Sequence, residues 1–168
     1  RASLLTGLYP HQAGMGYLDG LRKPASKGTH ARLHDRCVTL AEVLGADGYH
    51  TSMVGKWHVG DFDPTTRGFD AFYGFYSGYG INSWDEKMMV RLPAGKAPKH
   101  EGKFFATDAI TDYAIDFIHS AASQPWLLYL SYQAPHFPLQ APAEDIARYV
   151  PLYRQGWDKI RDQRLERM

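Results

Sequence analysis

The stretch that decides the fold is Tyr49–Gly60, YHTSMVGKWHVG, in which a predicted strand runs into basic residues. We predict a strand over Tyr49–Gly55, because this short run follows a helix stop signal and ends at a glycine. If the backbone stays extended beyond it, Lys56 and His58 point to one face and Trp57 to the other. A fixed cation beside a group that titrates near neutral pH suits a site that binds an anion and moves protons. A lysine and a histidine at this spacing are common, and spacing alone does not distinguish such a site from an ordinary surface pair.

Two helix boundaries are marked by their local sequence. Gly7 is well placed to end a short helix over residues 1–7. Thr39 and Glu42 form a capping box, because the threonine oxygen can accept from the backbone N–H three residues on while the glutamate reaches back. The helix that begins there is expected to stop near residues 45–48, just before the predicted strand.

The second half of the chain contains a long connection, a helix, a strand and a tail. Residues 60–104, approximately, are rich in Gly, Pro and aromatic residues and are expected to form a long loop or insert. Trp126–Tyr132 is a short apolar run typical of a strand buried on both faces. Residues 143–168 have the mixed charges of a solvated helical tail. The helix before the strand is predicted from an apolar stripe at helical spacing, formed by Ile110, Tyr113, Ala114, Phe117 and Ile118.

This order of elements predicts an α/β fold. Helix, strand, long connection, helix and strand is the rhythm of a parallel sheet flanked by helices. In open parallel sheets, ligands bind beyond the carboxyl ends of the strands. Lys56 and His58 follow the first predicted strand and His136 follows the second, so two strand ends bring basic groups toward one edge.

Composition excludes several classes of protein. The 168 residues are 44% hydrophobic and 14% aromatic, which excludes a disordered tail and suffices for a sizeable core. A formal net charge of +1 gives no bias toward nucleic acid or acidic membranes. No apolar run approaches the ~20 residues that a membrane span needs. Cys37 is the only cysteine, so no internal disulfide is possible, and its place before a helix start favours a packed or partly exposed structural thiol.

Three ordered motifs carry a family resemblance: Arg1–Gly7 (RASLLTG), Gly55–Gly60 (GKWHVG) and Ala134–Pro138 (APHFP). They resemble the type I sulfatases, the formylglycine-dependent arylsulfatase family. That family's signature is Cys-x-Pro-Ser-Arg with Ala-x-Leu-Leu-Thr-Gly, then Gly-Lys-Trp-His-Leu-Gly, then Ala-Pro-His-x-Pro. The resemblance covers nearly the whole chain apart from about residues 81–104. It implies an alkaline-phosphatase-like sulfatase domain with a mostly parallel sheet, of which residues 1–168 would be an incomplete central portion.

The resemblance also implies parts that this sequence does not show. The chain opens at the arginine of the signature, so the Cys or Ser that becomes formylglycine is expected just before Arg1, and Cys37 lacks the Pro-Ser-Arg that must follow such a residue. The Asp-Asp and Asp-Asn pairs that bind Ca²⁺ in the family have no matching context here, and a second family lysine is expected downstream. The isolated residues 1–168 are therefore expected to be inactive. The parent protein is expected to meet a formylglycine-generating or sulfatase-maturing enzyme and to be periplasmic, secreted or lysosomal.

The resemblance assigns roles to four residues of this chain. Arg1 would bond the formylglycine oxygens, and Lys56 would bind a sulfate oxygen and stabilise negative charge. His136 would bind substrate and act near the leaving group, while His58 would take a proton from the second hydroxyl of the hydrated formylglycine. Simpler interpretations exist: Arg1 as a helix-surface arginine, and His136 as a turn histidine satisfied by a backbone carbonyl.

The implied activity is hydrolysis of an aryl or carbohydrate sulfate ester. One alternative is a phosphate or phosphonate ester hydrolase of the same superfamily, which Thr, Ser or an unmodified Cys at the upstream position would favour. Another is a non-catalytic relative that binds an anion or a glycan, which the presence of both metal-ligand pairs in the parent gene would exclude.

Overall fold

The structure, a computed structural model, describes residues 1–17, 31–76, 80–93 and 102–168. Short 3-10 helices lie at Pro64–Arg67 and Glu86–Met88. The longer elements are α1 (Ala2–Thr6), α2 (Leu40–Ala46), β1 (His50–Lys56), β2 (Ala71–Phe75), β3 (Val90–Leu92), α3 (Ala106–Ser120), β4 (Trp126–Ser131), α4 (Ala143–Tyr153) and α5 (Trp157–Glu166).

Within the described residues, one mixed sheet has the strand order β3-β2-β1-β4. The strand β1 pairs in parallel with both β2 and β4, whereas β3 pairs antiparallel with β2. Lys56 lies opposite Phe75, and Gly55 lies opposite Ser131, so the carboxyl ends of the three parallel strands meet at one edge. The predicted α/β class is confirmed. The ends of the parallel strands share one edge, as predicted, and Lys56 is the last residue of β1 at that edge.

Both predicted helix boundaries are confirmed. Gly7 ends α1 with φ at 70°, and its backbone N–H donates to the Ser3 carbonyl. At the start of α2, the Glu42 N–H donates to Thr39 Oγ1 at 3.1 Å, and the Thr39 N–H donates to Glu42 Oε2 at 2.7 Å. The capping box satisfies backbone donors that have no partner within the helix. It thereby fixes the start of the helix that precedes β1.

The sheet is covered on both faces, as side-chain alternation along β1 requires. Val54 packs in a cluster with the α3 residues, and the predicted stripe of α3 is buried except for Ile118, which is partly exposed. The neighbouring Met53 packs in a different cluster with Trp57, α1 and α2. Successive residues of a strand point to opposite faces, so β1 contributes to both clusters.

The structure corrects two expectations about strands. The span around residues 60–104 contains β2 and β3, although residues 77–79 and 94–101 of it lie outside the described part of the chain. Gly74 lies within β2, where a Cβ would lie 1.8 Å from the Gly55 carbonyl oxygen, so the close strand pairing requires glycine. The expectation that Trp126–Tyr132 is buried on both faces is wrong, because β4 is the edge strand of the described sheet and Leu130 is 40% exposed.

Residues 139–168 form a second compact unit. The tail expected over residues 143–168 is two helices, α4 and α5, separated at Gly156, where φ is 87°. Exposed apolar side chains on α4 include Ile146, Tyr149 and Tyr153. Among the described residues, no helix has the length and apolar character that crossing a membrane would require.

A buried arginine joins the turn before β2 to the start of α2. Arg67 is 7% exposed, and its Nε donates to Glu42 Oε1 at 2.7 Å. Its Nη2 donates to the Cys37 carbonyl, while its own carbonyl accepts from Thr39 Oγ1 at 2.9 Å. Burial raises the pKa of Glu42, but hydrogen bonds from Arg67 and Thr39 together with the Arg67 charge hold that pKa below its usual value. Cys37 itself is buried and donates to the Ala13 carbonyl, so the predicted packed thiol is confirmed.

We expect Arg67→Met to lower the free energy of unfolding by about 3 kcal/mol, because Glu42 and the Cys37 carbonyl lose a buried partner. Urea denaturation of the full-length protein measures this change. The matched control is Arg161→Met, which removes exposed ion pairs to Asp158 and Asp162 and should cost less than about 1 kcal/mol. Equal losses in the two variants would contradict the assigned role of Arg67.

Candidate active site

The backbone carbonyl of Lys56 joins three segments at the sheet edge. It accepts from Arg1 Nε at 3.2 Å, which fixes the start of α1 against β1. It also accepts from Ser131 Oγ at 3.0 Å, which fixes the end of β4. Arg1 and Lys56, far apart in sequence, are thus adjacent, as the prediction of a shared site requires.

The Lys56 side chain is held in a setting that favours an anion. The residue is only 4% exposed. Burial, and then the charge on Arg1, lower the pKa of Lys56 below the usual lysine value. Both effects disfavour a positive charge, and a bound anion would offset both.

The backbone turns sharply after Lys56, which corrects the expected arrangement of side chains. The Trp57 N–H still donates to the Phe75 carbonyl at 3.0 Å, and its ring packs edge-on against Phe62 and Phe69. His58 then has φ at 52°, in the left-handed region. The prediction that Lys56 and His58 share a face by strand alternation is therefore wrong, because the extended backbone it assumed ends before His58.

This turn brings His58 to a cavity beside α1. The cavity has a volume of about 330 Å³, and Arg1 and His58 both line it. Ser3 and Tyr17 add hydroxyl groups to the same wall. Sequence reasoning missed both hydroxyls: Ser3 could have been noticed because it follows Arg1 by two positions at a helix start, whereas no local pattern marks Tyr17.

His136 lies beyond the end of β4, on an exposed turn. Its Nδ1 is 2.6 Å from the Phe137 carbonyl oxygen, and its backbone N–H donates to the Gln133 carbonyl at 2.9 Å. A carbonyl can only accept, so Nδ1 carries a proton and Nε2 is the nitrogen left for chemistry. The backbone contact of the simpler turn interpretation is present, but it occupies one ring nitrogen and orients the other.

Gly80 packs directly against this histidine. A Cβ at residue 80 would lie 2.7 Å from His136 Nδ1 and 1.9 Å from the Phe137 carbonyl oxygen. The loop before β3 and the turn after β4 therefore meet with no room for a side chain at Gly80.

The described residues do not supply a metal site. No group of three or more His, Cys, Asp or Glu side chains among residues 1–17, 31–76, 80–93 and 102–168 could hold an ion. The Ca²⁺ that the family resemblance implies is accordingly not assigned to side chains of this part of the protein.

Comparison with known proteins identifies the family. The sulfatase family model matches residues 1–167. The chain belongs to the sulfatase family. It is 33% identical to an arylsulfatase of Klebsiella aerogenes over the whole of this chain and 39% of that protein. It is 31% identical to an uncharacterized sulfatase of Schizosaccharomyces pombe, over 99% of this chain and 34% of the relative.

Solved sulfatase structures share the fold. Ps i-CgsB, crystallised in complex with k-i-k-neocarrahexaose, matches with a TM-score of 0.72 and 27% identity, over 89% of this chain and 37% of that one. BT4656, in complex with its substrate D-glucosamine-2-N,6-O-disulfate, matches with a TM-score of 0.56 and 27% identity, over 92% and 27% of the two chains. The described sheet is thus part of an alkaline-phosphatase-like sulfatase domain, and the chain spans little more than a third of the curated relatives' length.

We expect Gly80→Ala to destabilise the full-length protein by about 1–3 kcal/mol, because backbone atoms near His136 must move to admit the methyl group. Thermal unfolding measures the change. Gly45→Ala is the matched control. Its Cβ would meet only Gly68 and Thr51, at ordinary contact distances of 3.7 Å or more, and alanine favours the helix α2 to which residue 45 belongs. If the two variants unfold at the same temperature, Gly80 does not pack as described.

Proposed function

We propose that this chain is the central part of the catalytic domain of a sulfuric ester hydrolase that acts on an aryl or carbohydrate sulfate. The observation that carries the proposal is the convergence of Arg1 and His58 on the wall of a cavity of about 330 Å³, with Arg1 bonded to the backbone carbonyl of the buried Lys56 at the end of β1. Membership of the sulfatase family supports the choice of a sulfate ester as substrate.

The sulfate group would be held by the two cations at the end of β1. Lys56 offers a compact, partly desolvated charge that stabilises an anion more strongly than an exposed lysine would. The guanidinium of Arg1 is anchored through Nε to the Lys56 carbonyl, and its remaining N–H groups would bind sulfate oxygens. Negative charge that builds up on the transferred sulfuryl group would thus find fixed donors already in place.

The two histidines would move protons on different sides of the reaction. When the sulfur–oxygen bond to the alcohol breaks, its electron pair stays on the oxygen, and the protonated His136 donates from Nε2 to that oxygen. His58, in the cavity wall, would accept a proton as sulfate is released. These two proton transfers belong to different steps, loss of the alcohol and release of sulfate, and each histidine is assigned one of them.

The nucleophile would lie on the α1 side of the cavity. Arg1 opens α1 and lines the cavity, so a residue shortly before it in sequence would reach the same cavity. Formylglycine at that position, made from Cys or Ser by a maturation enzyme, supplies the attacking hydroxyl when present. Calcium ligands are proposed to lie outside residues 1–168. Kinetic measurements on sulfate esters therefore require the full-length protein.

We expect Lys56→Met and His136→Ala each to lower kcat on an aryl sulfate by on the order of 10²-fold, because an electrostatic or acid–base group is lost. Steady-state kinetics measure the loss. Lys159→Met and His119→Ala are matched controls, since both replace exposed residues on helices of this chain. Wild-type turnover in either site variant would refute the role assigned to that residue.

The pH dependence of substrate binding should report Lys56. Because burial and Arg1 lower its pKa, Lys56 loses its charge at a lower pH than the ~10.4 of an ordinary lysine. The KM for an anionic sulfate ester should then rise with pH below that value, and Lys56→Arg should move the rise to higher pH because arginine stays charged. KM measured across the alkaline range tests this, and an unchanged profile in Lys56→Arg would assign the titration to another group.

A further inference from the structure

The Gln133 side chain is buried and holds the backbone of a separate loop. The residue is 7% exposed, although it lies in the turn that follows β4. Its Oε1 accepts from the Ile81 N–H at 3.0 Å, and its Nε2 donates to the Ile81 carbonyl at 2.7 Å. One amide thus makes the pair of bonds that a neighbouring strand would make, and it ties the loop before β3 to the turn after β4.

The loop that Gln133 holds is the one that packs against His136. Gly80 precedes Ile81, and the space for its missing side chain is filled by His136 Nδ1 and the Phe137 carbonyl. The carbonyl of Gln133 also accepts from the His136 N–H at 2.9 Å. Gln133 therefore restrains His136 twice: directly through its own backbone, and through the Ile81–Gly80 segment that packs against the ring.

This restraint matters because His136 is itself exposed. An exposed imidazole can adopt several rotamers, and fixing one of them before the reaction removes that entropic cost from the chemical step. Loss of the Gln133 amide would leave the Ile81 N–H and carbonyl without their partner in a buried place, so the loop would shift to satisfy them.

We infer that Gln133 is a positioning residue that holds Gly80 against His136 and so aims His136 Nε2 at the leaving oxygen of the sulfate ester. The inference rests on the proposed role of His136 as the proton donor. In that step the proton passes from Nε2 to the leaving oxygen as the sulfur–oxygen bond breaks. Replacing Gln133 will slow the hydrolysis of esters whose leaving group needs this proton. It will not slow the hydrolysis of esters with an acidic leaving group in the same way.

The test compares two substrates in the full-length protein. 4-Nitrophenyl sulfate releases an acidic phenol that needs little protonation, whereas phenyl sulfate releases a weakly acidic one. Gln133→Met, which keeps the side-chain volume and removes both hydrogen bonds, should lower kcat for phenyl sulfate by about 10-fold more than for 4-nitrophenyl sulfate. His136→Ala should likewise lower kcat more for phenyl sulfate than for 4-nitrophenyl sulfate. In the double variant, Gln133→Met should cause little further loss of kcat.

Controls separate positioning from general damage to the fold. Thr51→Val removes a buried hydroxyl that bonds the Gly68 carbonyl and Asp70 at the opposite end of β1, and it should affect both substrates equally. Gln133→Asn keeps the amide on a side chain one methylene shorter, so it should show a smaller loss with the same selectivity and serves if Gln133→Met does not fold.

Two results would overturn the inference in different ways. If His136→Ala is selective but the Gln133 variants lower both rates equally, or lower them as much in the His136→Ala background, Gln133 has only a structural role. If His136→Ala itself shows no dependence on the leaving group, the proposed role of His136 fails, and the inference about Gln133 fails with it.

Discussion

The candidate site depends on the hydrogen bonds that the Lys56 carbonyl accepts from Arg1 and Ser131. At the end of β1 this oxygen has no further strand residue to pair with, and side chains from the start of α1 and the end of β4 satisfy it. A buried carbonyl needs such partners, so the same requirement that completes the sheet also brings distant parts of the chain together. Arg1 and Lys56 are neighbours because this bond joins the start of α1 to the end of β1.

The sequence predicted those features that depend on local residue chemistry. The capping box at Thr39 and Glu42 and the helix stop at Gly7 follow from backbone donors and acceptors within a few positions, and both are present. The three motifs predicted the sulfatase family, which the comparison with known proteins confirms. The roles of the four candidate residues stay predictions.

Features that depend on tertiary packing could not be predicted in the same way. The Gly, Pro and aromatic residues of the span around 60–104 predict a loop, because only the neighbouring strand explains why no side chain fits at Gly74. The positive φ of His58 follows from the turn that leaves the sheet, and no spacing rule reports it. No local pattern marks Gln133, because its two bonds to Ile81 join residues far apart in sequence.

The glycines at the centre of the sheet have a consequence for where chemistry can occur. Gly55 faces Gly74 on one side and Ser131 on the other, and a Cβ at either glycine would meet a neighbouring carbonyl within about 2 Å. A side chain is therefore excluded at both glycines where the three parallel strands meet, and no reactive group can stand at either position. Lys56 is the last residue of β1, and His58 and His136 follow the strand ends, so the candidate residues lie at the rim of the sheet, beyond its tightest contacts.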